Sequence, residues 1–365
     1  MRIIRKKVID GKKYLCVAGM NIPYYVETNG DKRKAVVGPL SFTYYRESDG
    51  GNAYFMLFGK KISLNDSRKA RHYRLRDQLT TEKCKEILLK ELPPLIGYVP
   101  DIENPHTFCE KVQWLKFNNP DQRIITLGDK YAVKEYVKET VGEKYVLPVL
   151  GAWENADDVD FDKLPEKYAL KVNWSSGYNI IVKDKSQLDT EWAREKLREW
   201  VKPSANSYYD TFNWAYKYMK PVIYAEPYIE QFDGQVYDYK FYFSNGEFIY
   251  LLIATDRMGD NTLTFTFFDD KLELLPTQHG GRPVADPPPP MPKNLDEMLR
   301  VGKILARDFP FVRVDFYETD EGIYLGEMTF YSGGGTLSFE PKEWDRKMGE
   351  KINIEEIKKR GKMYG

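Results

Sequence analysis

Four polar residues, Arg313, Asp315, Glu327 and Thr329, fall on alternate positions of two runs, FVRVDFYET and GIYLGEMTFY. The runs read as strands flanking a tight turn at Asp320, Glu321 and Gly322. Side chains alternate at period two along a strand. Arg313 and Asp315 therefore share one face of the first run, and Glu327 and Thr329 share one face of the second. Val312, Val314, Phe316, Leu325, Met328 and Phe330 largely occupy the other positions. Two carboxylates converging on one face beside an arginine suit a hard cation bridging phosphate oxygens. A surface ladder of ion pairs gives the same alternation, so this pattern alone leaves both readings open.

Two other stretches carry charge in a strand frame. Lys171 ends the strand YALK, and Ser175, Ser176 and Gly177 form a turn into YNIIVKD. Backbone N–H groups of such a turn can cradle phosphate, and a lysine adds a point charge. Lys130 opens a helix after Gly128 and Asp129. GxxxxGK[ST] is absent, so a P-loop is not supported. In VYDYKFYF, Asp238, Lys240 and Tyr242 alternate with Tyr237, Tyr239 and Phe241, so a charged pair shares one face. Just upstream, IYAEPYIE offers backbone hydrogen-bonding groups to a purine edge. A hairpin or half-buried strand without a ligand accounts for either stretch taken alone.

The elements that position these residues are legible from composition and pattern. A chain of 365 residues suggests two or three domains. Lys plus Arg and Asp plus Glu both number 55, and 42% of residues are hydrophobic, an ordinary globular balance. No apolar run approaches the ~20 residues of a membrane span. The opening MRIIRKKVIDGKK lacks an apolar core, so a secretory signal is not expected. Cys16, Cys84 and Cys109 are far apart and make no CxxC pair; with three histidines a zinc cluster is hard to assemble, and reduced cytoplasmic thiols are expected.

Residues 1–76 hold 17 Lys or Arg against 6 Asp or Glu, a local charge of +11. Such a head either draws anionic membrane, polyanionic sugar or nucleic acid to itself or is simply a solvated surface. Its runs KYLCVAG, KAVVGPL, FTYYRE and NAYFMLFG are strands separated by NG, DG and GG turns. Helices are expected over 80–92, with Thr80 or Thr81 as cap, and over 107–117, with Phe108, Val112 and Leu115 on one face. From Asp129 onward helices and strands alternate, in an order that argues for an α+β fold with sizeable antiparallel sheets.

The order of these pieces resembles an ATP-grasp enzyme: Asp129 and Lys130, then Leu147 and Pro148, Lys171 with Ser175, Ser176 and Gly177, Glu226, and the Arg313, Asp315, Glu327, Thr329 hairpin. Within that superfamily it looks most like the TupA-like branch, named for teichuronopeptide biosynthesis. The stretches carrying this are NPHTFCEKVQWLKF, LGDKYAVKEYV, LPEKYALKVNWSSGYNIIVKD, DYKFYFSNGE, FPFVRVDFYE and GEMTFYSGGG, spanning about 104–345. The resemblance implies two α+β lobes gripping ATP: a first lobe over 126–225 carrying the phosphate loop, and a second over 226–349 carrying the metal hairpin. The basic β-rich region 1–76 and a helical connector 77–125 precede them, and a tail 350–365 follows.

Roles follow by position. Lys130 and Lys171 would contact ATP phosphates under the loop of Ser175, Ser176 and Gly177. Residues 225–228, Tyr228 among them, would hold adenine, with Glu226 near its amino group and Glu230 or Asp233 near ribose. Asp315 and Glu327, with Thr329, would hold magnesium; Lys240 joins the ATP-binding set, and Arg313 would stabilise the transferring phosphoryl group. Thr329 stands where many relatives place Asn, which implies a weaker or water-mediated ligand. WSSG is less glycine-rich than many such loops. Asp238, Arg257, Ser332, Gly333 and Gly334 are candidates for the substrate end.

The implied reaction is ATP- and magnesium-dependent carboxylate–amine ligation through an acyl phosphate, joining an amino acid or amine to a uronic acid in surface-polysaccharide biosynthesis. It needs charge stabilisation rather than a protein nucleophile, and no Ser-His-Asp or Cys-His set is apparent. A kinase phosphorylating a sugar or protein hydroxyl would use the same ATP apparatus, and a non-catalytic nucleotide-binding protein is the third reading. The partners implied are a small-molecule or glycan substrate and, through residues 1–76, an anionic membrane or lipid-linked glycan; no nucleic acid is expected. The implied location is cytoplasmic, at the inner face of the membrane.

Overall fold

The computed structural model describes residues 72–174, 176–229, 237–255, 263–355 and 357–359, together with the backbone of strands within 4–63. The chain divides into two compact units, Met1–Gln78 and Leu79–Gly365.

The first unit is a meander of seven antiparallel strands, each paired with the next in sequence: β1 Ile4–Ile9, β2 Lys12–Val17, β3 Met20–Asn29, β4 Lys32–Val37, β5 Leu40–Arg46, β6 Ala53–Leu57 and β7 Lys60–Ser63. Gly-bearing turn signals between successive runs of the sequence favour neighbour pairing of this kind.

In the second unit, α1 Thr81–Glu91 starts where the Thr80 hydroxyl accepts from the Lys83 N–H. α2 Phe108–Asn118 starts with a capping box: Thr107 accepts from the Glu110 N–H while the Glu110 carboxylate reaches back to the Thr107 N–H. Phe108, Val112 and Leu115 are buried along α2. Cys84 and Cys109 are buried free thiols; the side chain of Cys16 lies outside the described residues. No helix among the described residues is long and apolar enough to cross a membrane.

α3 Val133–Thr140 leads into a four-stranded sheet from β8 Gly151–Trp153, β9 Tyr168–Val172, β10 Asn179–Val182 and β11 Ile223–Pro227, in the order β10-β9-β11-β8. All its pairings are antiparallel. α4 Thr190–Trp200, capped by Asp189, lies between β10 and β11 in sequence and buries Ala193 and Leu197.

A five-stranded antiparallel sheet follows, built from β12 Asp238–Ser244, β13 Glu247–Thr255, β14 Thr264–Phe268, β15 Val312–Thr319 and β16 Gly322–Thr329, in the order β14-β13-β12-β15-β16. Asn245 and Gly246 join β12 to β13 with φ of 51° and 79°. Both central residues of this two-residue turn are left-handed, which is what an Asn-Gly pair allows at low cost. α5 Leu295–Ala306 packs on β12, β13 and β15, burying Met298, Val301, Leu305 and Ala306 at helical spacing. α6 Glu343–Glu350 packs against α2.

This is the α+β architecture with antiparallel sheets that the order of elements implied. Eight phenylalanines, Phe108, Phe241, Phe243, Phe267, Phe309, Phe311, Phe316 and Phe339, are essentially inaccessible in the core. Two sheets, each presenting one charged face, are what position the site.

Candidate active site

The hairpin β15–β16 sets Arg313 opposite Thr329 and Asp315 opposite Glu327. The register then shifts: Phe316 faces Leu325, leaving Gly326 as an extra residue beside the carboxylate pair. A bulge here keeps Asp315 and Glu327 on one face while the strands beyond it continue to the turn. On the other side, β12 pairs Lys240 with Asp315 and Tyr242 with Arg313. Alternation thus delivers Asp238, Lys240, Arg313, Asp315, Glu327 and Thr329 to the same face.

Arg313 is the hub of that face. Its Nε donates to Asp315 Oδ1 at 2.6 Å, and its Nη2 to Asp315 Oδ2 at 2.8 Å, Glu327 Oε1 at 2.5 Å and Thr329 Oγ1 at 3.1 Å. Its Nη1 donates to Ser332 Oγ at 3.1 Å. Thr329 Oγ1 donates to Glu327 Oε1 at 2.9 Å. Lys240 Nζ lies 2.5 Å from Asp315 Oδ2 and 3.1 Å from Asp238 Oδ2, with all three side chains buried. Asp238 therefore stands behind Lys240. Lys130 closes the far side of the cluster, its Nζ 3.2 Å from Glu327 Oε2.

The two carboxylates differ in their electrostatics. Burial pushes Asp315 up, and Arg313 and Lys240 offset this only in part. Burial also opposes ionisation of Glu327, but Lys130, Arg313 and Lys240 together hold it well below the usual carboxylate range. Lys130 is raised: burial favours its neutral form, and the Glu327 charge outweighs that. Among the described residues no group of three His, Cys, Asp or Glu side chains is arranged to hold a metal. The donor set is two facing carboxylates and a hydroxyl. That set fits a small hard cation, which takes one or two protein carboxylates and completes its shell with phosphate oxygens and water.

A second charged group sits on the four-stranded sheet. Glu226, 3% exposed, lies 2.5 Å from Lys171 Nζ and is also bonded to Lys134 Nζ. Burial opposes its ionisation, but Lys171 and Lys134 hold its carboxyl below the usual value. Lys171 faces Tyr224 in register and lies 5.9 Å over the ring of Tyr317, two positions beyond Asp315 on β15. Lys171 thus stands between the two sheets.

Lys130 is positioned through its neighbour. Asp129 Oδ1 accepts from the Tyr131 and Ala132 N–H groups, Asp129 Oδ2 accepts from Asn173 Nδ2 at 2.5 Å, and the Lys130 N–H donates to the Asn173 carbonyl. This turn delays the helix to Val133, three residues after the expected opening. It also ties Lys130 to the end of β9, the strand that carries Lys171.

The structure thus brings together Arg313, Asp315, Glu327, Thr329, Lys240, Asp238, Lys130 and Ser332, with Lys171 and Glu226 as a neighbouring pair. Ser176 and Gly177 are exposed on the β9–β10 turn, with Gly177 at φ 79°. Tyr228 follows β11, with Lys183 Nζ 5.5 Å over its ring. Ser175, Glu230, Asp233 and Arg257 lie outside the described residues. Ser332 is 2% exposed, and Gly333, Gly334 and Gly335 all have φ near +60°. The Gly334 carbonyl accepts from Gln113 and Lys116, and the Gly335 carbonyl from Gln113, so these carbonyls face α2. A Cβ on Gly335 would meet Gln113 at 2.8 Å and Val112 at 3.0 Å.

The family model described as TupA-like ATPgrasp matches residues 110–353, two thirds of the chain and every residue of this cluster. The chain belongs to the TupA-like ATP-grasp family. A comparison with curated proteins returns no match. Among solved structures, D-alanine–D-alanine ligase from Helicobacter pylori aligns with 84% of this chain and 86% of its own, at 15% identity and a TM-score of 0.38. The Bacillus anthracis D-alanine–D-alanine ligase aligns with 56% and 57%, at 17% identity and 0.33. L-amino acid ligase from Bacillus licheniformis aligns with 62% and 47%, at 12% identity and 0.36. The chain spans just over half the length of the Bacillus anthracis enzyme.

Two residues that sequence reasoning passed over shape this charged cluster. Lys134 lies four residues beyond Lys130 in DKYAVKEY, a spacing visible in the sequence. It completes the pairing of Glu226 and donates to the Leu147 carbonyl, tying the Leu147–Pro148 step to the sheet. Asn173, just after β9, had no distinguishing pattern; only the tertiary fold brings it to Asp129.

Proposed function

We propose that this TupA-like ATP-grasp protein is an ATP- and magnesium-dependent carboxylate–amine ligase acting through an acyl phosphate. The observation that carries the reading is the convergence of Lys130, Lys240 and Arg313 on the facing carboxylates Asp315 and Glu327. Magnesium would be held by Asp315 and Glu327, with Thr329 beside them, and when bound it would supply Lewis-acid neutralisation of phosphate charge.

The side chains divide the remaining work. Lys130, Lys171 and Lys240 bind the phosphate oxygens in place of their present partners Glu327, Glu226 and Asp315. Arg313, held by the two bonds it donates to Asp315 and the one it donates to Ser332, keeps its guanidinium rigid where negative charge develops on the transferring group. Asp238 holds Lys240 in place. In the reaction, a substrate carboxylate oxygen bonds to the γ-phosphorus as the β–γ bridge breaks and ADP leaves. The amine nitrogen then bonds to the acyl carbon, inorganic phosphate leaves, and the amine gives up a proton. No protein nucleophile is required.

The resemblance to the branch named for teichuronopeptide biosynthesis supports a finer reading: an amino acid or amine joined to a uronic acid in surface-polysaccharide biosynthesis. The +11 charge of residues 1–76 supports contact of that unit with an anionic lipid-linked glycan or lipid surface. Unchanged liposome and glycan binding at low salt after deletion of residues 1–76 would remove that contact.

The ligase test is incubation with ATP, magnesium, a nucleotide-linked uronic acid and mixed amino acids, with all products read by mass spectrometry. ADP, phosphate and a new amide mass requiring both partners are expected. A phosphorylated sugar with no free phosphate would replace the ligase with a kinase. ATP binding without turnover on any carboxylate–amine pair would leave a nucleotide-binding protein.

A further inference from the structure

Lys116 lies in the last turn of α2 and is 3% exposed. Its Nζ donates to Gln113 Oε1 at 2.9 Å, to the Thr211 carbonyl at 2.8 Å and to the Gly334 carbonyl at 2.9 Å. An ammonium has three protons, so these bonds use its whole donor set. Burial pushes the group below the usual lysine value, and among the described residues no carboxylate pairs with it. A methionine would fill the same space without that cost. What a methionine cannot do is draw two carbonyls from distant segments to one point.

The two segments are a helical turn and a glycine run. Thr211 closes the turn Tyr208–Thr211, just before Phe212 at φ 52°. Gly334 is the middle of three consecutive glycines with φ of 58°, 64° and 63°. Glycines in a row have many backbone conformations open to them, so contacts from outside the run decide which one holds. Gln113 Nε2 donates to the Gly334 and Gly335 carbonyls at 2.8 and 2.9 Å, and Lys116 in turn fixes the other end of the Gln113 amide. Trp214 Nε1 donates to the Tyr331 hydroxyl at 2.8 Å, a second tie between the same two segments.

This loop opens at Ser332, which is part of the reaction site. Ser332 Oγ accepts from Arg313 Nη1 at 3.1 Å and lies 3.3 Å from the Tyr242 hydroxyl. The other bonds of Arg313 among the described residues go to Asp315, Glu327 and Thr329, which are the proposed magnesium donors. Ser332 is therefore the partner left to hold the guanidinium when those three turn to a cation. Gly334 lies two residues from Ser332, so a shift of the glycine run moves that bond.

We propose that Lys116 is a positioning residue of the reaction site: it clamps Gly334 to the Thr211 turn and so, through Ser332, sets the guanidinium of Arg313. The consequence for rate rests on the ligase reading above; the clamp itself does not.

The test uses the full-length protein at about pH 6, below the value of about 7 to which burial pulls Lys116. Amide hydrogen exchange is read by mass spectrometry over 331–337, where the Gly334 N–H bonds to Tyr331 and the Thr336 N–H to Gly333. In Lys116→Met this stretch should exchange about tenfold faster or more, while β13 is unchanged. Displacing a catalytic group by about 1 Å costs up to about 10² in rate. ADP formation should therefore fall about 10- to 100-fold in kcat, with KM for ATP within about threefold of wild type. Lys116→Gln, which keeps one amide donor group, should fall between wild type and Lys116→Met, and melting curves check that each variant folds.

A general loss of packing would also slow the reaction, and a double variant tells the two apart. If Lys116 acts through Ser332, Lys116→Met combined with Ser332→Ala should be no more than about threefold slower than the slower single variant. Fully multiplying effects in folded proteins would overturn the proposal. So would unchanged exchange over 331–337 in both folded Lys116 variants. Amide formation by the wild type with unchanged loop exchange in the variants removes the clamp and leaves the ligase reading. Faster loop exchange in the variants with no amide formed by the wild type removes the ligase reading and leaves the clamp.

Discussion

Replacing Arg313 by lysine keeps the charge and removes the fork. The guanidinium now makes two bonds to Asp315 and one each to Glu327, Thr329 and Ser332. An ammonium has three protons on one atom, so it cannot span Asp315 at both oxygens while also reaching Glu327 and Ser332. At least two contacts are lost. Each charge-assisted bond is worth about 1.5–3 kcal/mol, so the upper bound on the loss is about 3–6 kcal/mol. Water reaching Glu327, whose side chain is 24% exposed, recovers part of this.

The larger effect falls on the rate, because loss of one preorganised donor facing developing charge costs about 10²–10³ in kcat. ATP affinity should move by less than about fivefold, since Lys130, Lys171 and Lys240 remain to meet the phosphates. Single-turnover ADP formation at saturating ATP, read beside an ATP titration and a melting curve, separates these effects. A kcat within about threefold of wild type in a folded Arg313→Lys protein would refute the reasoning. So would a loss of ATP affinity equal to the loss of rate, because that would make Arg313 a ground-state ligand.

Asp315→Asn and Glu327→Gln should each abolish turnover while the protein stays folded, and chelation of magnesium should do the same to the wild type; normal ADP production in either variant would remove the metal assignment. Because its cationic neighbours hold Glu327 well below the usual carboxylate range, its ionisation contributes no inflection to the pH–rate profile above about pH 5, which a rate titration from pH 5 to 8 checks. Burial pulls Lys116 down to about 7, whereas the unfolded chain holds that proton to about pH 10. The unfolded state therefore binds more protons between these values, and this group's penalty is full below pH 7 and relieved as pH rises. The stability of wild type minus Lys116→Met should climb by up to about 2 kcal/mol between pH 7 and 8.5, and a flat difference by chemical denaturation would contradict this. Gly335→Ala should destabilise by about 1–3 kcal/mol, because the new Cβ meets Gln113 and Val112 at a positive φ; an unchanged denaturation midpoint would count against the packing of that loop on α2.

Much of this site is local in origin and was therefore readable. Alternation at period two set Arg313 with Asp315 and Glu327 with Thr329, and placed Asp238 and Lys240 on one face, because a strand's side-chain direction depends only on its own backbone. Thr80 and Thr107 capped their helices for the same reason. The turn at Asn245 and Gly246 followed from two residues that tolerate positive φ. What a side chain meets across space is a different matter. Nothing near Glu226 in sequence says that it will hold both Lys134 and Lys171, or that Asn173 will bind Asp129 and so place Lys130. The SGGG run read as a candidate for the substrate end; Gln113 and Lys116 on α2 are what turn its carbonyls inward. The bulge at Gly326 likewise depends on the register of two paired strands. Which residues share a strand face, a cap or a turn follows from the order of amino acids, since short-range backbone geometry sets those. Which charges neutralise one another follows from the folded arrangement, because ion pairing and burial depend on distances that chain order does not contain.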